Sequence, residues 1–148
     1  MSESTPALFV GHGAPTVALE DDDYTRALGR FGSSLAPRAI VIVSAHWETD
    51  GPICVNAQPR PPLIHDFSGF PPALEALTYP APGSPELAHD VVWRLTRSGR
   101  PARLETERGW DHGVWVPLRL LFPAADRPVV SVSLPVPRRP DASSTRVR

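Results

Sequence analysis

The chain has 148 residues, 41% of them hydrophobic, which is enough for one domain with a core and short for two. With 15 Lys and Arg against 16 Asp and Glu the formal charge is -1, so no global field draws it to nucleic acid or an anionic membrane. The lone cysteine, Cys54, excludes an intrachain disulfide framework, and no N-terminal apolar segment approaches signal-peptide or membrane-span length, so a cytoplasmic protein with a small-molecule partner is expected.

In chain order, "ALFVG" (Ala7 to Gly11) is the first apolar run and reads as a buried strand. "DDDYTRALGRFGSSL" follows, with Tyr24, Ala27, Leu28 and Phe31 at helical spacing behind an acidic first turn. "AIVIVSA", from Ala39, is a second strand, which would make strand, helix, strand a βαβ unit. "ICVNA" is a weaker strand. The chain holds 19 prolines, and those in "QPRPPLIHDFSGFPPA" and "YPAPGSPE" fix φ and remove donors, so these segments are stiff loops suited to a pocket rim. "SPELAHDVVWRLTRSG" is the clearest helix, with Ser84 as N-cap, Pro85 first, an apolar side of Leu87, Val91, Val92 and Leu95, and Gly99 past the end. His89 lies off that stripe, on the solvated side. "VWVPLRLLFP" reads as a short helix with Pro117 in its first turn, and "VVSVSL" (Val129 to Leu134) as a strand. The class is α/β: a mostly parallel central sheet, flanking helices and long proline-rich loops over residues 1–134, with an arginine-rich, disordered tail at 135–148.

The chemistry gathers at strand ends, where open α/β sheets bind ligands. His12, in "FVGHGAP", leaves the first expected strand, and His46, in "VSAHW", leaves the second. If those strands are parallel neighbours, both imidazoles reach one sheet edge, with Gly11, Gly13 and Ala45 adding minimal bulk. A lone strand-end histidine is more often a hydrogen-bonded loop residue than a ligand, but two in equivalent positions make half of a metal site. His65 in "IHDFSGFP" and His112 in "WDHGVW" each have an aspartate neighbour and aromatic company, which suits a flat ring.

Four stretches, "LFVGHGAPTVALEDDDYTRAL", "AIVIVSAHWETDG", "PPLIHDFSGFPPALEALTYPAPGSPELA" and "GWDHGVWVPLRLLFPAADRPVVSVSL", resemble in order the class III extradiol ring-cleavage dioxygenases, specifically the DOPA dioxygenase branch with the LigB-type fold. The resemblance implies a mononuclear site that opens a catechol ring with dioxygen. It implies His12 and His46 as metal ligands, and His112 and His65 as catalytic histidines near the substrate. Trp47, Asp66, Phe67, Asp111 and Trp115 would bind substrate around them, and Asp111 could orient His112, as carboxylates do for functional histidines, or bond its own backbone. Iron(II) is the first expectation and zinc(II) the second, since imidazole suits both.

The resemblance also has a limit. Family members continue beyond the strand equivalent to "VVSVSL", and their remaining metal ligands and a "GNxVHN"-like motif lie there, whereas no histidine follows His112 here. That implies the N-terminal portion of a catalytic domain, from a truncation or a shifted reading frame, with Asp66 or a second subunit to complete the metal shell. Three readings follow: a ring-cleaving dioxygenase, a silent module that binds an aromatic or a metal without turnover, and a zinc hydrolase-like site. An uncovered sheet edge would favour a homo-oligomer.

Overall fold

The computed structural model describes residues 6–136. A 3₁₀ turn at Pro15–Leu19 precedes α1 (Asp23–Ser33), β1 (Ile40–Thr49), β2 (Ile53–Asn56), α2 (Pro72–Glu75), α3 (Pro85–Arg97), β3 (Ala102–Glu105), α4 (His112–Leu121) and β4 (Val129–Pro135). The sheet order is β1-β4-β2-β3, with β1 parallel to β4, β2 parallel to β3 and only the β2–β4 contact antiparallel. The expected mostly parallel α/β architecture is therefore present.

The interior strand β4 is buried on both faces, as its unbroken apolar and small-polar sequence requires. Val130 and Val132 join Ile53 and Val55 in a cluster covered by Leu87, Val91, Val92 and Leu95 of α3. Val129 joins Val114, Trp115, Val116 and Leu118 of α4 in the other. The α3 reading holds in detail: the Ser84 side chain accepts from Leu87 N at 3.2 Å, Gly99 has φ +79°, and His89 is exposed.

Four expectations are corrected. "ALFVG" forms no strand: residues 6–14 run irregularly, Phe9 is 101% exposed, and no ladder partner lies beside them, so residues 7–49 make no βαβ unit. β1 is thus an edge strand rather than a fully buried one, with Val41 and Val43 exposed. The helix at Asp23 forms, closed by an Asp22–Thr25 capping box, but Tyr24, Ala27 and Phe31 face outward. Its buried side is Thr25 and Gly32, because α1 crosses α4 so closely that a Cβ on Gly32 would sit 1.9 Å from the Leu121 carbonyl oxygen. Pro117 sits well inside α4, which starts at His112. An interior proline costs about 3 kcal/mol, and here the burial of His112 through Leu118 overrides it.

β3, in "ARLE", is too short and too polar to stand out in sequence; it is set by its parallel pairing with β2, Ile53 opposite Ala102 through Asn56 opposite Glu105. Order reaches two residues into the expected tail, since Pro135 belongs to β4 and Val136 N donates to the Thr49 carbonyl at 3.0 Å. The rest of that tail lies outside the described residues.

The α1–α4 contact makes a direct prediction. Gly32→Ala should destabilise the protein by about 2 kcal/mol through forced separation of the two helices. Urea unfolding measures it, and an unchanged midpoint would refute the close crossing.

Candidate metal centre

Three imidazoles converge from three elements. His46 projects from the C-terminal part of β1, His112 is the first residue of α4, and His12 arrives on the irregular segment before the 3₁₀ turn. Each offers a ligand atom within 4.8 Å of the others. The His12 and His46 Nε2 atoms lie 3.1 Å apart, and the His112 ring centroid is 4.0 Å from that of His46 and 5.1 Å from that of His12. The pairing of His12 with His46 expected from sequence is therefore present, although a loop rather than a strand carries His12. Gly13, at φ +59° in the left-handed region, turns the chain after His12, and the Tyr24 hydroxyl donates to the Gly11 carbonyl just before it. That bond explains why Tyr24 stands outside the core.

A buried network fixes His46 and the start of α4. The Asp111 carboxylate, 1% exposed, accepts from the Ser44 hydroxyl at 2.5 Å and from Arg108 Nη2 at 3.1 Å. Ser44 Oγ accepts the His46 backbone N–H at 3.1 Å, and Arg108 Nη2 also reaches the His46 carbonyl at 3.4 Å. The Arg108 guanidinium stacks 5.1 Å from the Trp47 ring centroid, and the Arg108 carbonyl accepts from the Asn56 and Gln58 side-chain amides. Gly113 is required at the junction: a Cβ there would meet Ser44 Oγ at 2.6 Å and His46 Cδ2 at 2.7 Å.

The carboxylate that orients His112 is Asp66, not Asp111. Asp66 Oδ1 accepts the His112 backbone N–H at 3.0 Å and lies 2.8 Å from His112 Nδ1. The proline-rich loop carries Asp66 there because Ile64 N donates to the Trp110 carbonyl at 2.7 Å and Trp110 N to the Pro62 carbonyl at 2.8 Å. Beyond Asp66, Phe67 stands edge-on to His112 with centroids 5.9 Å apart, and His65 lies 5.7 Å from Trp115. His65, Phe67 and Trp115 thus form one aromatic wall that ends on His112. Trp47 packs under Arg108 instead, and Asp111 is committed to Ser44 and Arg108.

The electrostatics favour ligation. Burial, with His112 and His46 close by, lowers the His12 pKa from its ordinary 6.5, so the ring is held neutral. Burial pulls Asp66 upward, but its two hydrogen bonds from His112 outweigh this and keep the carboxyl below its ordinary range. Three imidazoles, one with its Nδ1 held by a carboxylate, are a donor set that fits a divalent first-row metal. Sequence reading missed Ser44, Arg108 and Gly113; the small residues in "VSAHW" and "DHG" were the available signal, and nothing marked Arg108 among the other arginines.

A three-histidine cluster at a strand end of an α/β sheet is an arrangement that could hold a metal ion. Comparison with known proteins narrows it. The family model for the catalytic LigB subunit of aromatic ring-opening dioxygenase matches residues 6–147, and the chain belongs to that family. It is 50% identical over 135 residues to "4,5-DOPA dioxygenase extradiol" of Escherichia coli (strain K12), covering 90% of this chain and 49% of that protein. The Beta vulgaris protein of the same name is 42% identical over 131 residues, covering 85% and 48%. The crystal structure of an uncharacterized Escherichia coli K12 protein superposes with a TM-score of 0.59 at 40% identity, covering 78% of this chain and 41% of that one. The chain spans about half the length of the curated relatives it matches.

Two predictions follow from the geometry. Gly113→Ala should displace Ser44 and His46 and weaken metal binding by at least about 10-fold, measured by competition with a chelator. The lowered pKa of His12 means that the unfolded chain takes up its proton first as pH falls. Stability of the metal-free protein is then full above about pH 6.5 and declines below it until the folded pKa is passed. His12→Asn should flatten that decline in urea unfolding, and an unaltered slope would show that His12 is not held neutral.

Proposed function

We propose that the protein opens the ring of a catechol-type, DOPA-like aromatic with dioxygen at an iron(II) site built on His12 and His46. The observation that carries the reading is the convergence of three imidazoles at the end of an aromatic wall, in a chain of the LigB family. The printed names of the relatives, 4,5-DOPA dioxygenases, support the substrate class. Iron is preferred to zinc because ring opening by dioxygen moves electrons and zinc has no accessible redox change. Bound here, ferrous iron would supply open positions for the catechol oxygens and dioxygen and a route for charge between them.

The chain's own residues supply the rest. Phe67, half-buried and backed by the buried Trp115, gives an apolar edge for the ring, while Asp66 holds His112 at its inner end. His112, held at Nδ1 by Asp66, has its ring beside those of His12 and His46, where it could accept a proton or ligate. His65 is exposed and next to Trp115, so it can exchange protons with solvent and carry one from a catechol hydroxyl. Arg108, Asp111 and Ser44 keep the backbone of His46 in place.

Among the described residues no helix is long and apolar enough to cross a membrane, and we assign the work to the cytoplasm. The open edge of β1 offers a place for a second copy. A second reading is binding of the aromatic or metal without turnover, since the match covers about half of the relatives whose names carry the activity.

Anaerobic loading with ferrous iron followed by oxygen uptake with DOPA tests the choice. The dioxygenase reading expects one O2 consumed per catechol, abolished in His12→Ala, and His65→Ala should lower kcat by about 100-fold with a shifted acid limb of the pH profile. Full iron loading with no uptake would leave the binding reading in its place.

A further inference from the structure

We propose that Tyr24 is the positioning residue for His12: its hydroxyl, carried by α1, holds the Gly11 carbonyl and so keeps the next residue's imidazole beside His46. The inference rests on the metal-site part of the functional reading and adds to it a side chain from outside the histidine cluster.

Residues 7–13 have little else to hold them. Among the described residues no backbone–backbone hydrogen bond joins them to the rest of the fold, Leu8 is 47% and Phe9 101% exposed, and a Cβ on Gly11 or Gly13 would meet nothing within 4 Å. The ties that exist are the Tyr24 hydroxyl on the Gly11 carbonyl and, one residue later, the contacts of the His12 ring with His46 and His112. The 3.1 Å approach of His12 Nε2 to His46 Nε2 is a hydrogen bond only while one nitrogen carries a proton, whereas ligation through those nitrogens needs both bare. That tie is therefore lost in the state that would bind an ion. The Tyr24 bond does not depend on the protonation of either ring.

The hydroxyl is also well anchored. Tyr24 is the second residue of α1, inside the first turn that the Asp22–Thr25 capping box closes, with Thr25 N donating to Asp22 Oδ1 at 2.8 Å. α1 lies on α4 where Gly32 meets the Leu121 carbonyl, and α4 begins against β1 where Gly113 meets Ser44 and His46. A path of regular elements thus runs from His46 through α4 and α1 to Tyr24, and the hydroxyl closes it on the residue before His12. At 42% exposure the Tyr24 ring adds little to the core, so the hydroxyl is what this position contributes.

The test is Tyr24→Phe in the full chain, which removes the hydroxyl and keeps the ring. In the metal-free protein the order parameters of the Gly11, His12 and Gly13 amides should fall from about 0.85 toward about 0.6, with the urea midpoint unchanged. Affinity for zinc(II), measured against a competing chelator, should drop by about 3- to 10-fold, the worth of one hydrogen bond, while the cobalt(II) visible band keeps its shape because the ligands are the same. Phe31→Leu, on the same outward side of α1, should alter none of these. Unchanged order parameters would overturn the proposal, and so would lowered ones with wild-type zinc affinity. A loss of affinity matched by a lowered urea midpoint would make Tyr24 a general structural residue and overturn it as well. Should the wild-type chain bind no zinc, the metal-site reading falls, and the order parameters alone decide whether Tyr24 positions His12.

Discussion

The buried carboxylate of Asp111 is the joint on which the site depends. A charge at 1% exposure is tolerable only when it is paired and hydrogen-bonded, and Arg108 and Ser44 provide both. Each partner belongs to a different part of the chain: Ser44 to β1, Arg108 to the turn before α4, and Asp111 to the N-cap of α4. Removing any one would leave a buried polar group unpaired, so the sheet end and the helix start are tied together by a cost, not merely by contact. His46 and His112 inherit their separation from that tie.

Close approach follows from small side chains at two crossings. Gly32 lets α1 lie on α4, and Gly113 lets α4 lie on β1. The first carries Tyr24 to the segment of His12, and the second sets His46 against His112. Both glycines sit in the end turn of a helix, Gly32 in the last of α1 and Gly113 in the first of α4, where a missing side chain costs the helix least.

Much of this was legible in the residues. "SPELAHDVVWRLTRSG" carries its own cap, stripe and stop, and all three act where the pattern puts them. "AIVIVSA" and "VVSVSL" pair as parallel strands, and the histidines leaving "FVGHGAP" and "VSAHW" do meet. The strand in "ALFVG" was misread because an apolar run reports burial only where a partner surface exists, and none lies beside Phe9. The orienting role of Asp66 was missed because sequence adjacency favours Asp111, whereas the Pro62 to Trp110 hydrogen bonds decide which carboxylate reaches the ring. Arg108 has no local pattern; its meaning comes from four partners distant in sequence, His46, Trp47, Asn56 and Gln58.

The irregular course of residues 6–14 has a kinetic consequence. Leu8 and Phe9 are exposed, among the described residues the segment has no ladder bonds, and the Tyr24 hydroxyl and the contact of His12 with His46 hold it. Such a segment opens at far lower free energy than the sheet or α4. Two of the three imidazoles therefore stand on the durable core, on β1 and α4, and one on the segment that opens first.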